Sequence, residues 1–181
     1  SVDASRLIDA ANHQYPRASI PKPSPGVGGY CLPKDPFLMI SGNGEKILDD
    51  FVYSARAVND CATRAPLRWM QRLFFDVGQL NVLIVGLAFK GIPETNDTRG
   101  STALKLLDDL LPKVNSVYCW DAMDAQAHDI NGAVSTLHCL SELEQIDIDV
   151  VCIMNNHPSN KSINIDNWFY KSPRHFLYDP W

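Results

Sequence analysis

Residues 81–89 read NVLIVGLAF, and after Asn81 the run is apolar, broken only by a glycine; no other stretch restricts the fold as much. A strand that alternates apolar and polar residues can lie on a surface. A strand apolar at every position must be covered on both faces, as in the middle of a parallel sheet. The residues beyond it support that reading. STALKLLDDLL (101–111) has helical spacing, with Ser101 or Thr102 as the candidate N-cap. SVYCW (116–120) reads as a second strand. A polar segment and a short helix around Ser141 to Gln145 come next, then the strand DVVCIM (149–154) and a last strand in HFLYDP (175–180). Strands alternating with helices imply an α/β fold with a parallel sheet.

The part before this run reads differently. Residues 3–14 have helical spacing, with Leu7, Ile8, Ala10 and Ala11 on one side. Tyr15 to Pro36 holds six prolines and reads as one long loop, and long ordered loops are usually functional. A short helix begins at Phe37 to Met39, and SGNGEK (41–46) is a turn. Glu45 to Phe75 reads as mostly helical, broken or kinked near Pro66. Its apolar residues Ile47, Leu48, Phe51, Val52, Ala55 and Val58 exceed what one thin helical layer can bury, which points to a dimer. The boundary between the helical part (1–77) and the α/β part (78–181) falls near residue 77. The first residue is Ser, directly before a helix-like pattern, so the sequence reads as a piece of a longer protein.

Composition closes off several function classes. The 181 residues are 45% hydrophobic and 20% charged, enough apolar content for a core and against global disorder. The net charge of −5 comes without a basic block, which argues against a nucleic-acid surface. No apolar run approaches the roughly 20 residues that span a bilayer, and the start has no secretory pattern. The five cysteines are odd in number and lack C-x-x-C spacing. Neither a disulfide scaffold nor a metal site is expected. Free thiols suit a cytoplasmic protein, and Cys119 and Cys152, inside strands, are expected to be buried and inert.

Three segments carry possible chemistry. The end of a strand feeding a helix is a general nucleotide position, but VLIVGLAFKG lacks G-x-G-x-x-G and G-x-x-x-x-G-K-[ST]. Phe89 and Lys90 offer an aromatic face and a cation, suited to a base or sugar plus a phosphate; a packed Phe beside a solvated Lys is the plain alternative. In ETNDTRGS (94–101), Arg99 precedes a helix N-terminus, where a cation does not complement the dipole. An arginine reaching for an anion or a partner domain is favoured there. In SPGVGGYCLPKDP (24–36), Gly26, Gly28 and Gly29 allow close approach to the backbone. Lys34 favours the Cys31 thiolate as a nearby cation, and Asp35 can position water or move a proton. Taken alone, Cys31 is either a nucleophile or a small residue beside an ordinary turn.

PGVGGYCLPKDP, NVLIVGLAFKG and DTRGS, in that order, resemble the nucleotide-sugar 6-dehydrogenases. This family includes UDP-glucose, GDP-mannose and UDP-N-acetylmannosamine dehydrogenases, and the motif style is most like the UDP-N-acetylmannosamine and UDP-N-acetylglucosamine members. The resemblance covers essentially the whole chain. It implies that residues 1–77 are a helical central dimerisation region and that 78–181 form a Rossmann-like nucleotide-sugar-binding domain. The family's NAD-binding domain would lie outside this chain. The implied reaction oxidises a sugar primary alcohol to the acid with NAD, through a cysteine thiohemiacetal and thioester. The nucleophile would be Cys31, with Asp35 helping proton transfer and hydrolysis. Lys34 and Arg99 would meet NAD. Lys22, Gly26, Val27 and Gly28 would lie along the substrate, with Phe89 and Lys90 on the nucleotide sugar and Arg17 lent to the neighbouring subunit. Tyr30 stands where many members have Ser or His, Gly100 replaces a frequent Glu, and the segment from Lys90 to Arg99 is longer than the common form. The implied partners are a nucleoside-diphosphate sugar and a second copy of the chain, without nucleic acid or membrane. Such a polypeptide is expected not to turn over alone. The rival reading is a non-enzymatic nucleotide-sugar-binding and dimerisation module; a thiol transferase would need a base against Cys31.

Overall fold

The computed structural model describes residues 3–15, 17, 19–42, 44–127, 134–137, 139, 142, 145–162, 168, 172 and 174–181. Its centre is strand β1 (Asn81–Val85), and the run of apolar residues there has a direct cause. β1 pairs in parallel with β2 (Ser116–Trp120) on one side and with β4 (Val150–Ile153) on the other. Val82 and Ile84 face one core with Leu106, Leu107, Leu110 and Met70. Leu83 and Val85 face a second core with Trp120, Leu137, Val151 and Ile153. Both faces are covered, so every side chain from Val82 to Val85 is buried. Each such side chain contributes about 1.5–3 kcal/mol when removed from water.

β3 (Val134–Thr136) flanks β2, and β5 (Phe176–Tyr178) flanks β4, both in parallel, giving the order β3-β2-β1-β4-β5. The α/β parallel sheet expected from the sequence is present. β3 went unrecognised because its three residues, Val134, Ser135 and Thr136, lie on a sheet edge and carry no apolar run. Of the short helix expected around Ser141 to Gln145, residues 141, 143 and 144 lie outside the described residues, so that expectation is not tested.

Helices α1 (Ala4–Asn12), α2 (Asp35–Ile40), α3 (Lys46–Thr63) and α4 (Ala65–Leu73) precede the sheet, and α5 (Thr102–Leu110) follows β1. The expected break near Pro66 lies at Arg64, between α3 and α4, and Pro66 sits in the first turn of α4, where a missing N–H costs nothing. Leu67 and Met70 of α4 enter the same core as β1 and α5. The helices before α4 bury little: α1 buries no residue, and α3 buries only Val52 and Thr63 among its described side chains. Ile47 (86% exposed), Phe51 (69%) and Val58 (71%) stand in solvent. Cys119 and Cys152 are buried as expected, and burial pushes the Cys119 thiol up to about 12 and that of Cys152 further still.

Of the two candidate caps of α5, Ser101 fills the role. Its Oγ accepts from the N–H groups of Ala103 (3.1 Å) and Leu104 (3.4 Å) and donates to the Leu87 carbonyl (2.7 Å). One buried hydroxyl therefore ties the helix to the loop that leaves β1. Ser101→Ala is expected to lower unfolding free energy by about 1–3 kcal/mol. Urea denaturation should show a lower midpoint with an unchanged slope, and an unchanged midpoint would refute this role.

Candidate functional site

In the order β3-β2-β1-β4-β5 the connection reverses direction between β1 and β4. Open parallel sheets leave a crevice at that reversal, outside the carboxyl ends of the strands. A cavity of about 1270 Å³ occurs there. Phe89 and Lys90 line it from beyond β1, and Asn155 and His157 from beyond β4. The loop after α1 covers it with Lys22, Gly26, Val27 and Gly28.

The shape of the cavity wall depends on where backbone hydrogen bonds go. Gly86, with φ +85°, ends β1 and passes so close to Asn155 that a Cβ there would overlap the amide. The next amides, of Leu87 and Ala88, both donate to Asp121 Oδ2 (2.7 and 3.0 Å). The other Asp121 oxygen accepts from Met123 (2.8 Å) and Ala125 (3.4 Å). This buried acid at the end of β2 is thus occupied by backbone. A dinucleotide fold needs glycine-lined backbone at this turn; here the turn carries Leu87, Ala88 and Phe89 and its amides are already bonded. Beyond β4, Asn155 donates to the Ala88 carbonyl (3.3 Å) and accepts from Asn160 (3.0 Å) and the His157 amide (3.2 Å). His157 Nδ1 accepts from Ser159 (3.1 Å), so Nε2 carries the proton; it lies 3.3 Å from Glu94 Oε1, too poorly aligned for a hydrogen bond.

The proline-rich loop has no ladder of its own, and two asparagine amides replace one. Asn12 of α1 exchanges two hydrogen bonds with the backbone of Ile20 (2.8 and 2.9 Å). Asn59 of α3 does the same with Val27 (2.7 and 3.2 Å). Lys22, between these clamps, pairs with Asp9 at 2.9 Å. Past Val27 the loop settles on the segment after β1. A Cβ on Gly28 would strike the Gly100 carbonyl; one on Gly100, whose φ is +62°, would strike the Gly29 carbonyl. Gly29 itself lies against the Phe89 ring.

Cys31 comes two residues later and is exposed. Its carbonyl accepts from the amides of Lys34 (3.0 Å) and Asp35 (2.9 Å), opening α2. The ammonium of Lys34 lies 2.5 Å from Asp35 Oδ1, which raises the Lys34 pKa. Arg99 grips Asp97 with Nε and Nη2 (3.0 and 2.6 Å). That bond, with the Arg99 amide, holds the Asp97 carboxyl down at about 2. Both cations also lie over one ring, that of Tyr30: Lys34 Nζ at 5.0 Å and the Arg99 guanidinium at 4.8 Å from its centroid.

The residues singled out from the sequence therefore fall into two groups. Lys22, Gly26, Val27, Gly28, Phe89 and Lys90 line the cavity. Cys31, Lys34, Asp35 and Arg99 gather about Tyr30, and Leu32 joins the groups through its place in the cavity wall. Arg17 is exposed and outside that wall. Lys90 Nζ lies 5.2 Å from the Phe89 ring, so the two act as a pair. Sequence reasoning missed Asn12, Asn59, Asp121 and Asn155. A polar run directly after a buried strand, as in MNNHPSN (154–160), was a usable sign of Asn155. Nothing local marks Asn59, which lies on a long helix.

Residues 83–181 match the model of the UDP-glucose/GDP-mannose dehydrogenase family, UDP binding domain. The UDP-N-acetyl-D-mannosamine dehydrogenase of Pyrococcus horikoshii is 33% identical over 96% of this chain and 39% of its own length. Its namesake in Escherichia coli K12 is 27% identical over 92% of this chain and 40% of its own. A solved structure of the Pyrococcus horikoshii UDP-D-ManNAc dehydrogenase superposes with a TM-score of 0.71 over 96% of this chain and 39% of that one. A UDP-glucose dehydrogenase from Pyrobaculum islandicum gives 0.72 at 25% identity, over 90% of this chain and 38% of that one. The chain thus spans about two fifths of the length of these relatives.

Because Asp97 is held low by Arg99, the pair is intact through the ordinary carboxylate range and is lost as pH falls through about 2. A carboxyl NMR titration is expected to give that midpoint, and Arg99→Gln should move it up toward the ordinary value near 3.8. An unmoved midpoint would refute the pairing.

Proposed function

The chain belongs to the UDP-glucose/GDP-mannose dehydrogenase family, and from that premise we propose that its parent protein is an NAD-dependent nucleotide-sugar 6-dehydrogenase. Residues 78–181 would hold a nucleoside-diphosphate sugar, with UDP favoured by the family match and an N-acetylmannosamine-type sugar by the named relatives. Residues 1–77 would carry the cysteine loop and the dimer contact. The single observation that carries this reading is the docking of Gly28 on Gly100, which sets the cysteine loop beside the cavity bearing Phe89 and Lys90.

Chemically, the arrangement suits a two-stage oxidation. Two equivalents of NAD, bound one after the other, would each accept one hydride, one for each stage. The adenine and ribose of NAD must be held elsewhere, since the β1 turn is filled by its own hydrogen bonds; this chain offers the cations of Lys34 and Arg99. The Cys31 sulfur adds to the sugar aldehyde carbon and keeps the intermediate from escaping as a thiohemiacetal. After the second oxidation, water attacks the thioester carbonyl, the C–S bond breaks, and acid and thiol are released. Asp35 would move the proton of that water. Phe89 and Lys90 hold the nucleotide portion, and Lys22, Gly26, Val27 and Gly28 border the sugar. Arg17 reaches the substrate of the second subunit. The isolated chain does not turn over in this reading, and the parent is cytoplasmic. Among the described residues no helix is long and apolar enough to cross a membrane.

Two measurements test this. Calorimetric titration of UDP- and GDP-sugars should show binding, and Lys90→Ala should weaken it about 10- to 150-fold for a charge-assisted contact of roughly 1.5–3 kcal/mol. Equal binding by the variant would remove Lys90 from recognition. Sedimentation should show a dimer, since Ile47, Phe51 and Val58 of α3 are exposed. Monomer alone at high micromolar concentration would refute that assignment.

A further inference from the structure

The second group of site residues gathers about Tyr30, whose own ring has no part in the reading above. Tyr30 is 57% exposed. Yet the Lys34 ammonium, from its own loop, and the Arg99 guanidinium, from the segment after β1, both lie over its ring at 5.0 and 4.8 Å. These two positions are 65 residues apart in the chain (99 minus 34). Each cation is at the same time paired with a carboxylate of its own segment, Asp35 or Asp97. Each carboxylate pairs within its own segment, whereas the ring contacts a cation from both. Cys31 adjoins Tyr30 in the chain.

We propose that Tyr30 is a positioning residue, whose ring holds Lys34 and Arg99 together as one anion-receiving platform beside Cys31. The ligand chemistry is phosphoryl or carboxylate oxygen. The physical logic is a difference between the two kinds of partner. A carboxylate competes with an incoming anion for the same N–H donors. A π face attracts the cation without using those donors, so it keeps the cation in place while the anion displaces the carboxylate. The Lys34–Asp35 pair is exposed on both sides, and exposed pairs of this kind give way easily; in the second pair Arg99 is exposed and Asp97 half-buried. A serine or histidine at position 30, as the family resemblance leads one to expect, provides a smaller surface or none. The platform rests on the reading of Cys31 as the reacting thiol only for its biological use. The platform itself is a property of this chain.

The test compares two alkylating reagents on the whole chain at low ionic strength, with Cys61, an exposed free thiol, as internal reference. Iodoacetate carries a carboxylate and iodoacetamide does not, so their rate ratio at Cys31 reports anion attraction separately from exposure or thiol reactivity. Tyr30→Leu is expected to lower that ratio about two- to fivefold, the range for an exposed cation–π contact. Tyr30→Phe, which keeps the ring, should retain the ratio. Arg99→Gln should lower it in the wild-type background and have less effect on top of Tyr30→Leu, because the ring is then no longer holding the guanidinium. A merely structural role for Tyr30 would change both reagents' rates alike and leave the ratio fixed. An unchanged ratio in Tyr30→Leu, an equal loss in Tyr30→Phe, or full additivity of Arg99→Gln with Tyr30→Leu would each overturn the proposal. Full turnover by a Cys31→Ser parent enzyme would instead overturn the thiol reading and leave the platform standing.

Discussion

Two stretches of backbone meet at Gly28 and Gly100 with no room for a side chain between them, and the arrangement of the whole candidate site depends on that approach. Gly100 sits one residue before the Ser101 cap of α5, and Ser101 is bonded to the turn that leaves β1. The cysteine loop is therefore fixed, through two glycines and one hydroxyl, to the central strand of the sheet. Any Cβ at either glycine would push the loop away from Phe89 and Lys90. A glutamate at position 100, which the family resemblance leads one to expect, would need the loop to run differently. Gly100 and Tyr30 are thus two departures in one contact region, and both bear on how the loop meets the segment after β1.

The proline-rich loop raises a general problem. It has no strand or helix over residues 19–30, so its polar backbone must find other partners. Asn12 and Asn59 supply them by presenting a primary amide, which has the same donor and acceptor as a peptide unit. Asp121 and Asn155 play a comparable part on the sheet side, where β1 ends. The cavity is consequently framed by side-chain amides and one carboxylate rather than by regular ladders. Such a frame fixes loops tightly where polar pairs are satisfied, and it leaves the charged side chains Lys22, Lys90 and Arg99 free of any structural duty in the core.

The helical part contrasts with the sheet in how well it is buried. β1 is covered on both faces, while α1 buries nothing and α3 exposes Ile47, Phe51 and Val58. Of these helices α4 is the one that places side chains in the sheet core, Leu67 and Met70 among the described residues. The cysteine loop hangs between these extremes: one end is held by α1 and α3, the other by the glycine contact. Asn12 and Asn59 therefore couple the loop to these exposed helices.

The sequence alone settled the elements whose pattern is local. VLIV (82–85) had to be a doubly covered strand because no polar residue interrupts it, the α3–α4 break comes from a proline, and Ser101 was one of two possible caps. The candidate residues Phe89, Lys90 and Cys31 were visible because rare side chains stand beside glycines. Tertiary structure alone decided the rest. β3 is three edge residues without an apolar run, and only its pairing with β2 makes it a strand. Asn59 became a clamp because α3 passes beside Val27, 32 residues away in sequence. Asp121 looked like any acid after a strand until four backbone amides converged on it. Lys34, Tyr30 and Arg99 could be named one by one, but their shared ring contact requires the two segments to be brought together. Local patterning sets which side chains are available; long-range packing sets which of them meet, because hydrogen bonds and cation–π contacts act only over a few ångströms.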